Sequence, residues 1–194
     1  MTYDELLQQM ALAERLKCSP RHAWTSTGRR ESVAEHCWRL ALLSFYTASA
    51  FPGVDLTKLL LMSLFHDIGE AFTGDIPTFE KTAAHEATEA QAVEAWLHAL
   101  PADVGPQLTA LLAEYEAQET QEARLVKALD KMEALIQHNE SPIETWLPLE
   151  YQLNLTYGQA QTDGDPYLKG LRAAINAVTR EKIAREAPAE APRP

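Results

Sequence analysis

Ten residues from Leu56 to Phe65 are apolar on almost every helical face, and they run straight into His66-Asp67-Ile68-Gly69-Glu70. A helix without a polar face packs on several sides at once, so this segment is expected in the interior of a helical fold, ending at Gly69. Its end then carries an imidazole and a carboxylate, with a second carboxylate one turn further on. A buried carboxylate left unpaired costs several kcal/mol, so the rest of the chain must supply partners for it.

The flanking segments are helical too. Thr2 with Glu5 and Ser32 with Glu35 have the spacing of capping boxes, and Asp165-Pro166 has the form of a helix start. Leu6, Met10, Ala13 and Leu16 recur at helical spacing, as do Val33, Leu40, Leu43 and Tyr46. Later helices are marked by Val93, Trp96, Leu97 and Leu100, by Leu108, Leu111, Leu112 and Tyr115, by Leu125, Leu129, Met132 and Ile136, and by Leu168, Leu171, Ile175 and Val178. A short helix is expected between Ile143 and Asn154, and a long loop from Ser19 to Arg30. No stretch alternates like a strand, so the spacing predicts an all-α bundle of about seven or eight helices in a single domain over residues 1–187. A disordered Pro/Ala/Glu tail follows over 188–194.

Composition narrows the partners. A formal net charge of -11 over 194 residues argues against a nucleic-acid polymer or an anionic membrane, which need clustered cations. It leaves room for a small anion, because a bound divalent cation inverts the local field. No apolar run approaches the ~20 residues of a membrane span. With only Cys18 and Cys37, both read as reduced thiols, the chain is expected to be cytoplasmic.

Four polar residues fall on or beside the buried faces of three different helices: His36, His66, Asp67 and Asp130. Two imidazoles and two carboxylates form a mixed nitrogen and oxygen set that suits a divalent transition ion and leaves coordination positions open, which is a catalytic rather than a structural arrangement. Taken alone, His36 in a first helical turn or Asp130 between Lys127 and Lys131 would be ordinary. The order of the set is what carries information.

That order, with its flanks, resembles the HD phosphohydrolase superfamily. The segments Glu31-Ser32-Val33-Ala34-Glu35-His36, His66-Asp67-Ile68-Gly69-Glu70, Thr73-Gly74-Asp75-Ile76-Pro77 and Leu125-Val126-Lys127-Ala128-Leu129-Asp130-Lys131 are similar to its 5'-deoxynucleotidase branch. The resemblance implies that His36, His66, Asp67 and Asp130 hold one divalent ion (Mn, Co, Mg, Fe, Ni or Zn). It implies that Glu70 transfers protons, that Asp75 lies near the attacking water and phosphate, and that Arg21 contacts the phosphate. It implies hydrolysis of deoxynucleoside 5'-monophosphates, and a homodimer. The chain departs from the best-studied type of the branch at one place: His22 follows Arg21 where a tryptophan near the sugar is expected, and the nearest aromatic is Trp24. Two rivals stand beside this expectation: hydrolysis of another nucleotide or phosphate ester, and a non-catalytic nucleotide-binding regulator.

Overall fold

The computed structural model describes residues 1–188. In chain order the helices are α1 Tyr3–Lys17, α2 Val33–Thr47, α3 Leu56–Phe65, α4 Glu70–Thr73, α5 Ala83–Ala99, α6 Gly105–Ala117, α7 Gln121–Glu140, α8 Glu150–Thr156, α9 Gln159–Thr162 and α10 Pro166–Glu186. Eight of them have at least seven residues, while α4 and α9 are four-residue turns, so the all-α expectation holds. The tail expected over 188–194 lies, Pro188 apart, outside the described residues.

The helix starts follow from local chemistry. Thr2 and Ser32 each accept from the backbone N–H three residues on, while Glu5 and Glu35 reach back to the cap, completing both boxes. Asp165 accepts from Leu168 N–H with Pro166 at the first turn of α10. The helix expected over Ile143 to Asn154 is instead a 3₁₀ turn at Ile143–Thr145 followed by α8.

The expected loop from Ser19 to Arg30 is a β-hairpin, with β1 at Pro20–Trp24 and β2 at Arg30–Ser32. Its turn is closed by Thr25 N–H donating to Arg29 O at 2.8 Å, and Gly28 supplies the positive φ of 81°. A strand buries alternate residues, but here the buried positions are Ala23 and Glu31, neither of them a large apolar side chain. That is why no apolar alternation announced the strands.

The chain divides into two compact units, one of residues 1–22 and 31–126 and the other of residues 23–30 and 127 onward. In the first, α2 packs chiefly against α3, where Ser44 and Ser63 pair their buried hydroxyls at 2.9 Å. Leu16, Val33, Cys37, Ile68, Ala71 and Leu112 form a core there, with Phe65, Val93, Trp96 and Leu97 packed against it. In the second, Ile143, Trp146, Tyr151 and Ile183 form a smaller core.

Several apolar faces turn out differently from the periodicity. Leu6 and Met10 of α1 are exposed and only Leu16 is buried. Tyr46 and Val178 also point outward. The Leu56–Phe65 helix buries Leu59, Met62 and Ser63 but exposes Leu61 and Leu64, so its all-apolar sequence is not an all-buried helix. Nor does it run to Gly69. It ends at Phe65, His66 caps it through a bond to Met62 O, and residues 66–69 form turns before α4. Gly69 has right-handed dihedrals, and its lack of a side chain serves packing: a Cβ there would lie 2.6 Å from Glu89 Cγ. The glycine that needs a positive φ at this point of the chain is Gly74, at the end of α4 with φ 77°.

Candidate active site

The turn after α3 presents His66 and Asp67 together. His66, with a side chain 2 % exposed, sets Nδ1 3.0 Å from Ser63 O. A carbonyl only accepts, so Nδ1 bears a hydrogen there, and Nε2 is the nitrogen turned toward Asp67. That Nε2 lies 3.0 Å from Asp67 Oδ2, and His36 Nε2 lies 3.7 Å from the same oxygen. The Ser32 capping box places His36 in the first turn of α2, where it is fully buried and meets the His66 ring edge-on at 5.4 Å. One ligand atom from each of His36, His66 and Asp67 lies within 4.8 Å of the other two.

Electrostatics follow from that crowding. Burial alone would lower the His66 pKa, but the Asp67 carboxylate and the Cys37 thiol outweigh it and hold the ring well above its ordinary value. Glu70, 6 % exposed on the first turn of α4, is pushed up to about 9 by burial and by the Asp67 and Asp75 carboxylates, against the pull of Arg21 and His66. Its Oε2 is buried and has no hydrogen-bond partner among the described residues. Two ring nitrogens converging on one carboxylate oxygen, beside a Glu70 carboxyl and a His66 ring that both favour protons, fit a divalent cation, which would replace those protons with a single charge.

Arg21 on β1 pairs through Nη1 with Glu31 Oε2 on β2 at 2.8 Å. Asp75, just after Gly74, accepts from His22 N–H at 3.1 Å, which joins the hairpin to the loop after α4. Trp24 and Asp130 belong to the second unit. There the Arg30 guanidinium lies 4.5 Å over the Trp24 ring, and Gln137 Nε2 donates to Trp24 O at 2.6 Å. Asp130 is 8 % exposed, one turn beyond fully buried Val126 on α7, and pairs with Lys131 at 3.2 Å. Among the predicted site residues, His36, His66, Asp67, Glu70, Asp75 and Arg21 therefore share the first unit.

Three supporting residues had no such expectation. Ser63 orients His66 through its carbonyl, a role open to any residue type and invisible in sequence. Glu31 anchors Arg21, and only an expected hairpin would have paired them. Glu89 lies against Gly69 and pairs with Lys81 at 2.9 Å; the Glu89, Glu70 and Asp67 carboxylates hold Lys81 above its ordinary pKa against desolvation, the largest influence.

The sequence and the fold both have known relatives. The HD domain family matches residues 13–171. The 5'-deoxynucleotidase HDDC2 of Bos taurus is 32% identical over 139 residues, covering 70% of this chain and 67% of its own length. The dATP triphosphohydrolase of cyanophage S-2L is 33% identical over 135 residues, covering 67% of this chain and 70% of its own. Among solved structures, a predicted metal-dependent phosphohydrolase of Magnetospirillum magnetotacticum MS-1 aligns with a TM-score of 0.73 at 29% identity, over 95% of this chain and 99% of that one.

Proposed function

The chain belongs to the HD domain family, and on that premise we propose that it is a metal-dependent 5'-deoxynucleotidase, converting deoxynucleoside 5'-monophosphates to nucleoside and phosphate. The observation that carries this reading is the approach of one ligand atom each from His36, His66 and Asp67 to within 4.8 Å of one another, beside a carboxyl that favours its proton. These three, with Asp130, would hold one divalent ion. Asp130 is supported by its place in the motif order and by its near burial on α7. When bound, the ion supplies a Lewis acid that draws charge from the phosphoryl group and acidifies water.

The chain's own residues handle position and protons. Arg21 binds phosphoryl oxygens, for which a planar guanidinium is suited. Asp75, tied to the hairpin through His22 N–H, orients the attacking water. Water oxygen bonds to phosphorus as the bond from phosphorus to the 5'-oxygen breaks. Glu70 takes the water's proton and returns one to the departing oxygen, a shuttle for which a carboxyl raised by burial and then lowered by a nearby cation is suited. Trp24 is assigned to the nucleoside side of the substrate.

A panel of dAMP, dCMP, dTMP, their ribonucleotide partners and dATP tests the reading by phosphate release. Release from the deoxynucleoside monophosphates is expected. The likeness to the cyanophage enzyme favours one second reading, a triphosphohydrolase, which would instead release triphosphate from dATP. Nucleotide binding without any release would mark a non-catalytic regulator. No helix among the described residues is long and apolar enough to cross a membrane. Both cysteines are free, which supports a cytoplasmic protein. The exposed Trp38, Leu42, Phe45 and Tyr46, on one face of α2, support a homodimer, which light scattering tests.

A further inference from the structure

Arg21 is not a loose surface cation. Its Nη1 lies 2.8 Å from Glu31 Oε2, with the two side chains 14 % and 3 % exposed, and the pair crosses the hairpin from β1 to β2. Such cross-strand pairs hold each other's rotamers. Glu31 is also close to the proposed ion site, one of its carboxylate oxygens lying within 4.8 Å of a His36 ring nitrogen. A carboxylate beside a site for a phosphate is unfavourable by charge alone, since it repels the substrate and cancels part of the guanidinium's attraction. Its benefit is therefore geometric: a guanidinium carries several donors in one rigid plane, and anchoring one of them fixes where the others point.

We propose that Glu31 is a positioning residue for the substrate phosphate, holding the Arg21 guanidinium in a fixed plane next to His36. The assignment rests on the phosphohydrolase reading of the site. It makes a prediction opposite to that of simple electrostatics. Removing the negative charge of Glu31 weakens phosphate binding, although a purely electrostatic role would strengthen it.

The test is the affinity of inorganic phosphate for the folded, metal-loaded protein, measured by calorimetry and by product inhibition, in wild type, Glu31→Gln, Arg21→Ala and the double variant. Glu31→Gln is expected to weaken phosphate about tenfold, with KM rising more than kcat falls. The double variant is expected to bind phosphate within about twofold of Arg21→Ala alone, because Glu31 acts through Arg21. Phosphate affinity in Glu31→Gln equal to or tighter than wild type overturns the proposal, and so do losses that multiply in the double variant. If Glu31→Gln does not fold, Glu31→Asp serves in its place: it keeps the charge but draws the carboxylate back by one methylene, and an unchanged phosphate affinity there overturns the proposal. Should wild type release phosphate from no nucleotide, the functional reading fails on its own, while coupling between positions 31 and 21 in phosphate binding still decides the role of Glu31.

Discussion

Two buried groupings of histidine and carboxylate, one in each unit, use the same residue types for opposite ends. In the second unit, His138 stacks edge-on against Trp146 at 5.9 Å and lies 3.8 Å from Glu150. Trp146 Nε1 donates to Ser141 Oγ at 2.9 Å, and Glu150 Oε2 accepts from Leu147 N–H at 2.6 Å. The carboxylate there is satisfied by backbone, and the grouping closes a turn between α7 and α8. In the first unit, two imidazoles instead aim their Nε2 atoms at one Asp67 oxygen, and Glu70 stands close by with a carboxyl that prefers its proton. Burying histidine and acid together does not make a site. Ring nitrogens converging on one carboxylate oxygen, where backbone donors would have sufficed, set the first grouping apart from one built for stability and fit the proposed cation.

Perturbing both groupings sharpens that contrast. The largest effect is expected from Asp67→Asn, which removes the oxygen that both imidazoles face: activity falls by at least about 10³-fold and metal binding is lost, measured by phosphate release and by metal content. Glu70→Gln is expected to lower kcat by about 10²-fold or more while the ion still binds. Glu150→Ala removes a buried carboxylate and leaves the Leu147 N–H without that acceptor, and should cost about 2 kcal/mol in urea unfolding. Activity per folded molecule should stay within about twofold, since Glu150 has no part in the chemistry. A large loss of activity there would erase the distinction between the two groupings.

Glu70→Gln has a second, smaller signature in stability. In metal-free protein the folded carboxyl titrates at about 9, whereas the unfolded one titrates near 4.5. The unfolded state therefore gives up its proton first, and wild type loses stability as pH rises through that window, most of it present only below the lower value. The glutamine variant lacks this slope. It should unfold at higher urea than wild type by about 2 kcal/mol near pH 8, with the gap closing toward pH 4.5. Equal stability at both pH values would show that Glu70 is not strained by its neighbours. Smallest is Gly69→Ala, whose new Cβ displaces Glu89 and should cost about 1 kcal/mol.

What was legible in sequence was local. The capping residues Thr2, Ser32 and Asp165 act within one turn, and each starts its helix as spaced. Asp130 at the edge of a buried α7 face was equally readable, because Val126, Leu129 and Met132 set that face by period alone. The hairpin was not, since its most informative buried side chain is Glu31, held by Arg21 rather than by an apolar layer. The end of α3 was misplaced for a related reason. Gly69 looks like a left-handed stop, yet its missing side chain makes room for Glu89 from α5, a contact no local rule encodes. The outward-facing residues of α1 and α3 show the same limit: helical spacing places residues on a face, and tertiary packing decides which face is buried.

The central claim is that the donors grouped around Asp67 hold a single ion that makes the chain a phosphatase for deoxynucleoside monophosphates. The most direct measurement is phosphate release from dAMP by metal-stripped protein as Mn, Co or Mg is titrated back. Activity absent in the stripped protein and restored in step with one bound ion per chain is the predicted result. Phosphate release that is indifferent to metal, or absent with every ion, would contradict it.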